Sequence, residues 1–244
     1  MHPRCRCTVV PSLGEVIGKR AAKVGKQRFK VPAEMTYTEW RKIYIDKTET
    51  FEQWERERNK NVVPSGIVPG GKLPFKRQEH LSTSDENVLA TNPNYLLGKA
   101  FQQNCQKCVP TYEMRMRGYD VVARPTFDIK TDLFATDYWD KVFKKAVFEE
   151  GFKSSGKEDI IKRMKKMGDG ARAEVYVIWD FGDVSHVFVA ENRNGNILFL
   201  DPQTGALNVE HYFENVKHGM TKFLRIDNLE PDENYIKWFC KENK

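Results

Sequence analysis

The chain has 244 residues, room for one large or two small domains, and its 40% apolar and 30% charged residues exclude a chain disordered throughout. No apolar run approaches the ~18 residues that a membrane-spanning helix needs, and the first twenty residues lack the apolar stretch of a secretory signal. The net charge of +6 is uneven: residues 1–80 carry 17 Lys+Arg against 9 Asp+Glu, a balance of +8, so the remainder stands at −2 and does not read as a nucleic-acid-binding domain.

The first third therefore reads as a basic arm or linker, with a nucleic-acid or capsid-surface contact as the sharper alternative. Residues 1–33 are short, basic and broken by Gly and Pro. Thr36 and Glu39 have capping-box spacing, and Trp40, Ile43, Tyr44, Phe51 and Trp54 recur at helical steps. Residues 52–60 read as a polar helix. Residues 62–74 (VVPSGIVPGGKLP) contain three prolines and three glycines, the best domain boundary in the chain. The expected division is 1–80 as an irregular and helical extension and 81–244 as the main domain.

In that main domain, residues 82–89 open a short helix with Ser84 as its cap. The spacing predicts a helix over 105–117, closed by Gly118, and a strand over 119–123. Residues 136–150 predict an amphipathic helix burying Trp139, Val142, Phe143, Val147 and Phe148. A further helix runs from Ser155 to Met167. From Ala173 the period changes to two, giving strands over 174–179, 186–190 and 196–200, with a fourth over 223–226. Asn194-Gly195 is a strong hairpin signal between two of them. Helices first and an antiparallel sheet afterwards define an α+β domain.

The hairpin organises the chemistry. With Asn194 and Gly195 as turn residues, Arg193 pairs with Asn196 and Asp201 lies one diagonal step from His186; with the turn centre one residue earlier, Asp201 lies directly opposite His186. In both registers His186, Asp201 and Gln203 fall on one sheet face. A carboxylate or amide there can orient the imidazole and leave its second nitrogen free as a base. The nucleophile is the missing part. Five cysteines are present, Cys5, Cys7, Cys105, Cys108 and Cys240. An odd count with two tight pairs suits reactive thiols in a reducing compartment better than a disulfide framework. Cys105 follows Asn104, a good N-cap, where the helix dipole and a nearby imidazolium favour a thiolate. Each element alone has a plainer reading: a buried thiol, a core histidine, an Asp-Pro turn, or a CxxC redox pair. A zinc site is disfavoured because no second ligand pair lies near, and His2, Cys5 and Cys7 lack a fourth ligand.

These blocks resemble the papain-fold toxin family called Tox-PL, whose members include bacterial effectors of the glutamine-deamidase type. The resemblance rests on residues 104–123 (NCQKCVPTYEMRMRGYDVVA), 170–179 (GARAEVYVIW), 186–189 (HVFV) and 194–205 (NGNILFLDPQTG). It implies a papain-like fold, helices packed on an antiparallel sheet, with Cys105 as nucleophile, His186 as proton shuttle and Asp201 as its orienter. Gln203 would be a supporting group or alternative orienter. Gln102 or Gln103, with backbone N–H groups at the helix start, would donate to the oxyanion. Pro110 sits poorly in a helix starting at Cys105, so a start near Lys107, with Cys108 as nucleophile, stays open. Under the Tox-PL reading Cys108 could pair with Cys105 in a disulfide.

Residues 2–7 (HPRCRC) and 35–40 (MTYTEW) resemble the tail of MuF-type phage minor head proteins. Together these resemblances imply a toxin or effector acting on a protein substrate in a target cytoplasm, with an immunity protein and a phage head or portal as further partners. No cofactor is expected. The alternatives are a cysteine protease of the same fold, a non-enzymatic phage head component, and a CxxC redox protein.

Overall fold

The alternating apolar residues after Ala173 form the sheet around which the larger of two units is built. A computed structural model describes residues 19–24, 27–32, 35, 37–51, 53, 73–130, 132, 141–182 and 184–243. The chain divides into two compact units, 1–58 and 59–244.

In the first unit, β1 (Lys19–Val24) and β2 (Gln27–Pro32) pair antiparallel from Lys19↔Pro32 to Val24↔Gln27. Helix α1 (Tyr37–Tyr44) follows, and Val31, Met35 and Ile43 form a small core against Trp40, Tyr44 and Phe51. This hairpin departs from the irregular arm expected over 1–33. The strand KRAAKV has no alternating run of β-branched or aromatic residues, so backbone pairing leaves little trace in its sequence. The expected cap at Thr36, the helix over 52–60 (apart from Gln53), residues 2–7, and residues 136–140 with Trp139 lie outside the described residues.

The second unit begins with α2 (Ser84–Thr91) and α3 (Cys105–Met116), followed by β3 (Val121–Ala123) and α4 (Lys157–Met167). The strands β4 (Arg172–Ile178), β5 (Ser185–Arg193), β6 (Asn196–Leu200) and β7 (Lys222–Arg225) come next. Helix α5 (Glu233–Phe239) and β8 (Cys240–Glu242) close the unit. The sheet is antiparallel in the order β6-β5-β4-β7, and β8 pairs separately with β3. Asn194 and Gly195 both have positive φ, 53° and 82°, the backbone that a two-residue hairpin needs, and Arg193 pairs with Asn196, the first of the two registers the sequence allows.

Period-two alternation sends Val187 and Val189 of β5 to one face, with Val109, Tyr112 and Met114 of α3. It sends Phe188 and Ala190 to the other, with Ile160 and Met164 of α4 and Phe213. Burial of each large apolar side chain contributes roughly 1.5–3 kcal/mol, so two cores hold the sheet between α3 and α4. This mixed arrangement of helices on an antiparallel sheet is a papain-like α+β fold.

Two local expectations are corrected. Residues 141–150 are not an α-helix: Phe143 bridges to Pro231, Glu149 bridges to Phe223, and Lys145 has a φ of 59°. Edge pairing takes the backbone bonds a helix would need, so Val142 and Phe143 are buried while Val147 is 77% exposed. Helix α2 is capped by Thr83 rather than Ser84, in a reciprocal capping box with Glu86. The Ser84 hydroxyl is instead 2.6 Å from Glu191 and 2.7 Å from Tyr112.

Helix α3 is buried almost all round, so its charged residues need internal partners. Glu113 accepts from Arg172 at 2.7 and 3.0 Å and from Arg117 at 2.7 Å. Lys107 pairs with Asp132 and donates to the Pro125 carbonyl at 2.9 Å. These contacts fix the helix, which starts at Cys105 despite Pro110 at its sixth position. The later start near Lys107 is therefore not observed.

Candidate active site

The site lies at the end of the sheet where β5 begins and β6 finishes, facing the first turn of α3. His186 is the second residue of β5, and Asp201 directly follows β6. The hairpin register leaves the two side chains one diagonal step apart, and His186 Nε2 lies 3.1 Å from Asp201 Oδ2. The same Asp201 oxygen accepts a hydrogen bond from Tyr212 Oη at 3.0 Å, and Asp201 Oδ1 accepts from the Gln203 backbone N–H at 2.9 Å. Asp201 is fully buried. Burial alone would raise its pKa, but the His186 hydrogen bond and charge, with the Gln203 and Tyr212 donors, hold it below the ordinary carboxylate value.

His186 is shielded rather than sealed, its side chain being 11% exposed. Trp179, at the end of β4, lies against it with ring centroids 5.9 Å apart and planes at 20°. Phe188 and Tyr212 close two more sides, at 6.3 and 5.8 Å. Burial disfavours the imidazolium, yet hydrogen bonding and charge from Asp201 and Cys105 outweigh it and raise the His186 pKa to about 10. The ring therefore holds its proton at neutral pH between a carboxylate and the Cys105 sulfur. With Nε2 given to Asp201, Nδ1 is the nitrogen left for the sulfur.

Cys105 is the first residue of α3, 6% exposed, and its thiol also lies 3.2 Å from Gln106 Oε1. Cys108, one turn on, is completely buried. Burial, together with the Cys105 and Asp201 charges, pushes its thiol pKa well above the ordinary value, which disfavours a thiolate there. Cys105 and Cys108 are both free thiols.

The amides named by the sequence fall in three places. Asn104 donates to the Arg124 carbonyl at 3.0 Å and does not cap the helix with its side chain. Gln102 is exposed and donates to the Tyr95 carbonyl at 3.2 Å, while Gln103 donates to the Thr126 carbonyl at 2.7 Å. Gln203 is buried and packs against the start of α3. Beside His186 opens a cleft of about 380 Å³ lined by Trp179, Phe181, Gln203, Thr204 and Tyr212, among others. Sequence reasoning missed Trp179 and Tyr212. Trp179 ends a strand that was read only for its alternation, and Tyr212 lies in a 3₁₀ helix, Glu210–Asn215, without periodic signal.

Among the described residues, no group of three or more His, Cys, Asp or Glu side chains could hold a metal ion, and no helix is long and apolar enough to cross a membrane.

A buried carboxylate, an imidazole and a helix-terminal thiol meet here, the group types that thiol-based hydrolysis uses. Residues 103–206 match the family described as papain fold toxin 1, glutamine deamidase. That span begins just before Cys105 and ends just after Asp201 and Gln203. It does not reach residues 2–7 or 35–40, and the phage-head expectation placed on them is not shown. No curated protein and no solved structure matches the chain.

Proposed function

We propose that the 59–244 unit is a thiol hydrolase that deamidates glutamine side chains in a target protein, with Cys105 as nucleophile, His186 as acid and base, and Asp201 as its orienter. The supporting observation is the convergence of these three residues, from α3, β5 and the end of β6, within the span similar to a glutamine-deamidase family.

The reaction follows from the geometry. The Cys105 sulfur bonds to the carboxamide carbon, and the carbonyl electron pair moves to oxygen, where backbone N–H groups at the start of α3 face it. His186 gives its proton to the nitrogen, the C–N bond breaks and ammonia leaves, producing a thioester. His186, now neutral, takes a proton from water as the water attacks that carbon. Sulfur departs, leaving glutamate and the original thiolate–imidazolium pair. Asp201 holds the ring in place and stabilises its charged form throughout.

The test is ammonia release and intact-mass analysis of a glutamine-containing protein mixture. Wild type is compared with Cys105→Ala, Cys108→Ala and His186→Ala. Ammonia together with deamidation mass shifts on substrate glutamines, lost in Cys105→Ala and His186→Ala but kept in Cys108→Ala, supports the proposal. New peptide termini without ammonia would replace it with proteolysis. Loss in Cys108→Ala alone would move the nucleophile.

A further inference from the structure

The backbone N–H of Cys105 should be free to receive the substrate's carbonyl oxygen, yet it already has a partner. One heteroatom of the Gln203 side-chain amide lies 2.8 Å from Cys105 N and 2.9 Å from Asn104 N, and Asn104 Oδ1 is 3.2 Å away. Two backbone donors face this atom. If it were the amide nitrogen, it would gain one bond to Asn104 Oδ1 and leave both N–H groups opposed by another donor. If it is the oxygen, both N–H groups are satisfied, at the cost of facing one other acceptor, Asn104 Oδ1, at 3.2 Å. Two satisfied buried donors outweigh one, so the oxygen faces the helix.

Gln203 is held there from both ends. Its backbone N–H donates to Asp201 Oδ1 at 2.9 Å, and its carbonyl accepts from Asn92 Nδ2 at 2.9 Å. It also lines the cleft beside His186. A primary carboxamide thus sits at the cleft wall, its oxygen on the N–H of the nucleophile residue.

We infer that Gln203 is an internal occupant of the carboxamide subsite, an autoinhibitory latch whose oxygen holds the oxyanion position until a substrate glutamine displaces it. The inference rests on the hydrolase reading above. It also assigns the place of the substrate's oxygen, within reach of the Cys105 and Asn104 N–H groups. The latch is a glutamine and the proposed substrate is a glutamine, so the displacement exchanges like for like and costs few hydrogen bonds. A ligand without a carbonyl oxygen gains nothing from displacing it.

Two thiol probes separate this from a purely structural role. A peptide bearing glutamate semialdehyde forms a hemithioacetal with Cys105: sulfur bonds to the aldehyde carbon and the proton passes to its oxygen, which then needs the oxyanion donors. Iodoacetamide alkylates the sulfur by displacing iodide, with no such oxygen. Gln203→Ala vacates the donors and is expected to tighten aldehyde binding about tenfold, the worth of roughly one hydrogen bond. Gln203→Glu keeps an acceptor in place, now with full charge, and is expected to weaken aldehyde binding below wild type. Opposite signs in the two variants support the latch. Unchanged or weaker aldehyde binding in Gln203→Ala overturns it, making Gln203 a strut for the helix. If wild-type Cys105 alkylates no faster than His186→Ala, the hydrolase reading itself has failed, an outcome distinct from either latch result.

Discussion

Tyr212 Oη donates to the same Asp201 oxygen that meets His186 Nε2, at 3.0 and 3.1 Å. One carboxylate oxygen thus serves a neutral donor and a cationic one. The phenol restrains where that oxygen points and therefore where the imidazole stands. Asp201 in turn pushes the Tyr212 hydroxyl pKa up, after burial, so the phenol remains a donor across the working range.

Tyr212→Phe removes this restraint and leaves the ring. A hydrogen bond to a charged group contributes about 1.5–3 kcal/mol, part of which nearby water recovers, so kcat should fall roughly tenfold with KM little changed. Because one donor to the carboxylate is lost, the acid limb of the kcat profile should shift to higher pH. A pH–rate comparison with wild type checks both, and an unshifted limb would assign Tyr212 to packing alone.

His186 and Asp201 give opposite pH signatures. The folded-state pKa of His186 lies above its ordinary 6.5, at about 10, so its contribution to stability is complete below 6.5 and is lost as pH climbs through about 10. Asp201 is held below its ordinary 3.8, so its contribution is complete above 3.8 and is lost as pH falls through the lower folded value. Iodoacetamide rates should follow the histidine. At neutral pH, wild type should exceed His186→Ala by about tenfold or more, because an unassisted thiol is only a few per cent ionised there. That advantage should fade as pH passes about 10. A gap that persists unchanged at higher pH would mean that the imidazolium is not its source.

Glu113→Gln tests the buried charges behind the nucleophile. Burial would raise the Glu113 pKa, but the Arg172 and Arg117 guanidinium groups hold it below the ordinary range. The variant leaves both guanidinium groups without their counter-charge and should lose about 3–5 kcal/mol in urea unfolding. A loss under about 1 kcal/mol would show that backbone carbonyls, such as that of Ile226, 2.9 Å from Arg117, carry the charge unaided.

Phe181 is 73% exposed and stacks on Trp179 with planes at 8°. An exposed ring at the mouth of the cleft is placed to touch a protein substrate in the ground state and the transition state alike. Phe181→Ala should therefore raise KM for a protein substrate several-fold and leave kcat nearly constant. A fall in kcat at constant KM would instead place the ring in support of Trp179 and His186.

The hairpin was the most legible part of the chain. Asn194-Gly195 specified the turn, and either register it allowed put Asp201 on the face of His186 and within reach of it; the structure takes the one with Arg193 opposite Asn196. Asn104-Cys105 marked the start of α3, with Asn104 at the N-cap position, although its side chain does not make the capping bond that residue type suggests. Pro110 misled because a local rule disfavours it, whereas the surrounding core and the Arg172–Glu113 pair impose helix from outside. Residues 141–150 misled in the opposite direction: their apolar spacing suits a helix, and pairing with Phe223 and Pro231 decides otherwise. Trp179 and Tyr212 carried no local signal, since their importance comes from which neighbours the fold brings to them.

The pairing of β3 with β8 gives the unit an order of events. Val121 follows α3 closely in the chain, but its strand partner is Glu242, and Arg124 N–H is accepted by the Phe239 carbonyl at 2.9 Å. The edge beside the nucleophile's helix therefore stays open on a nascent chain until β8, which follows the rest of the unit, has left the ribosome. The strand after the Cys105 helix thus waits for residues far along the chain, whereas the hairpin that brings Asp201 to His186 can close as soon as β6 has been made.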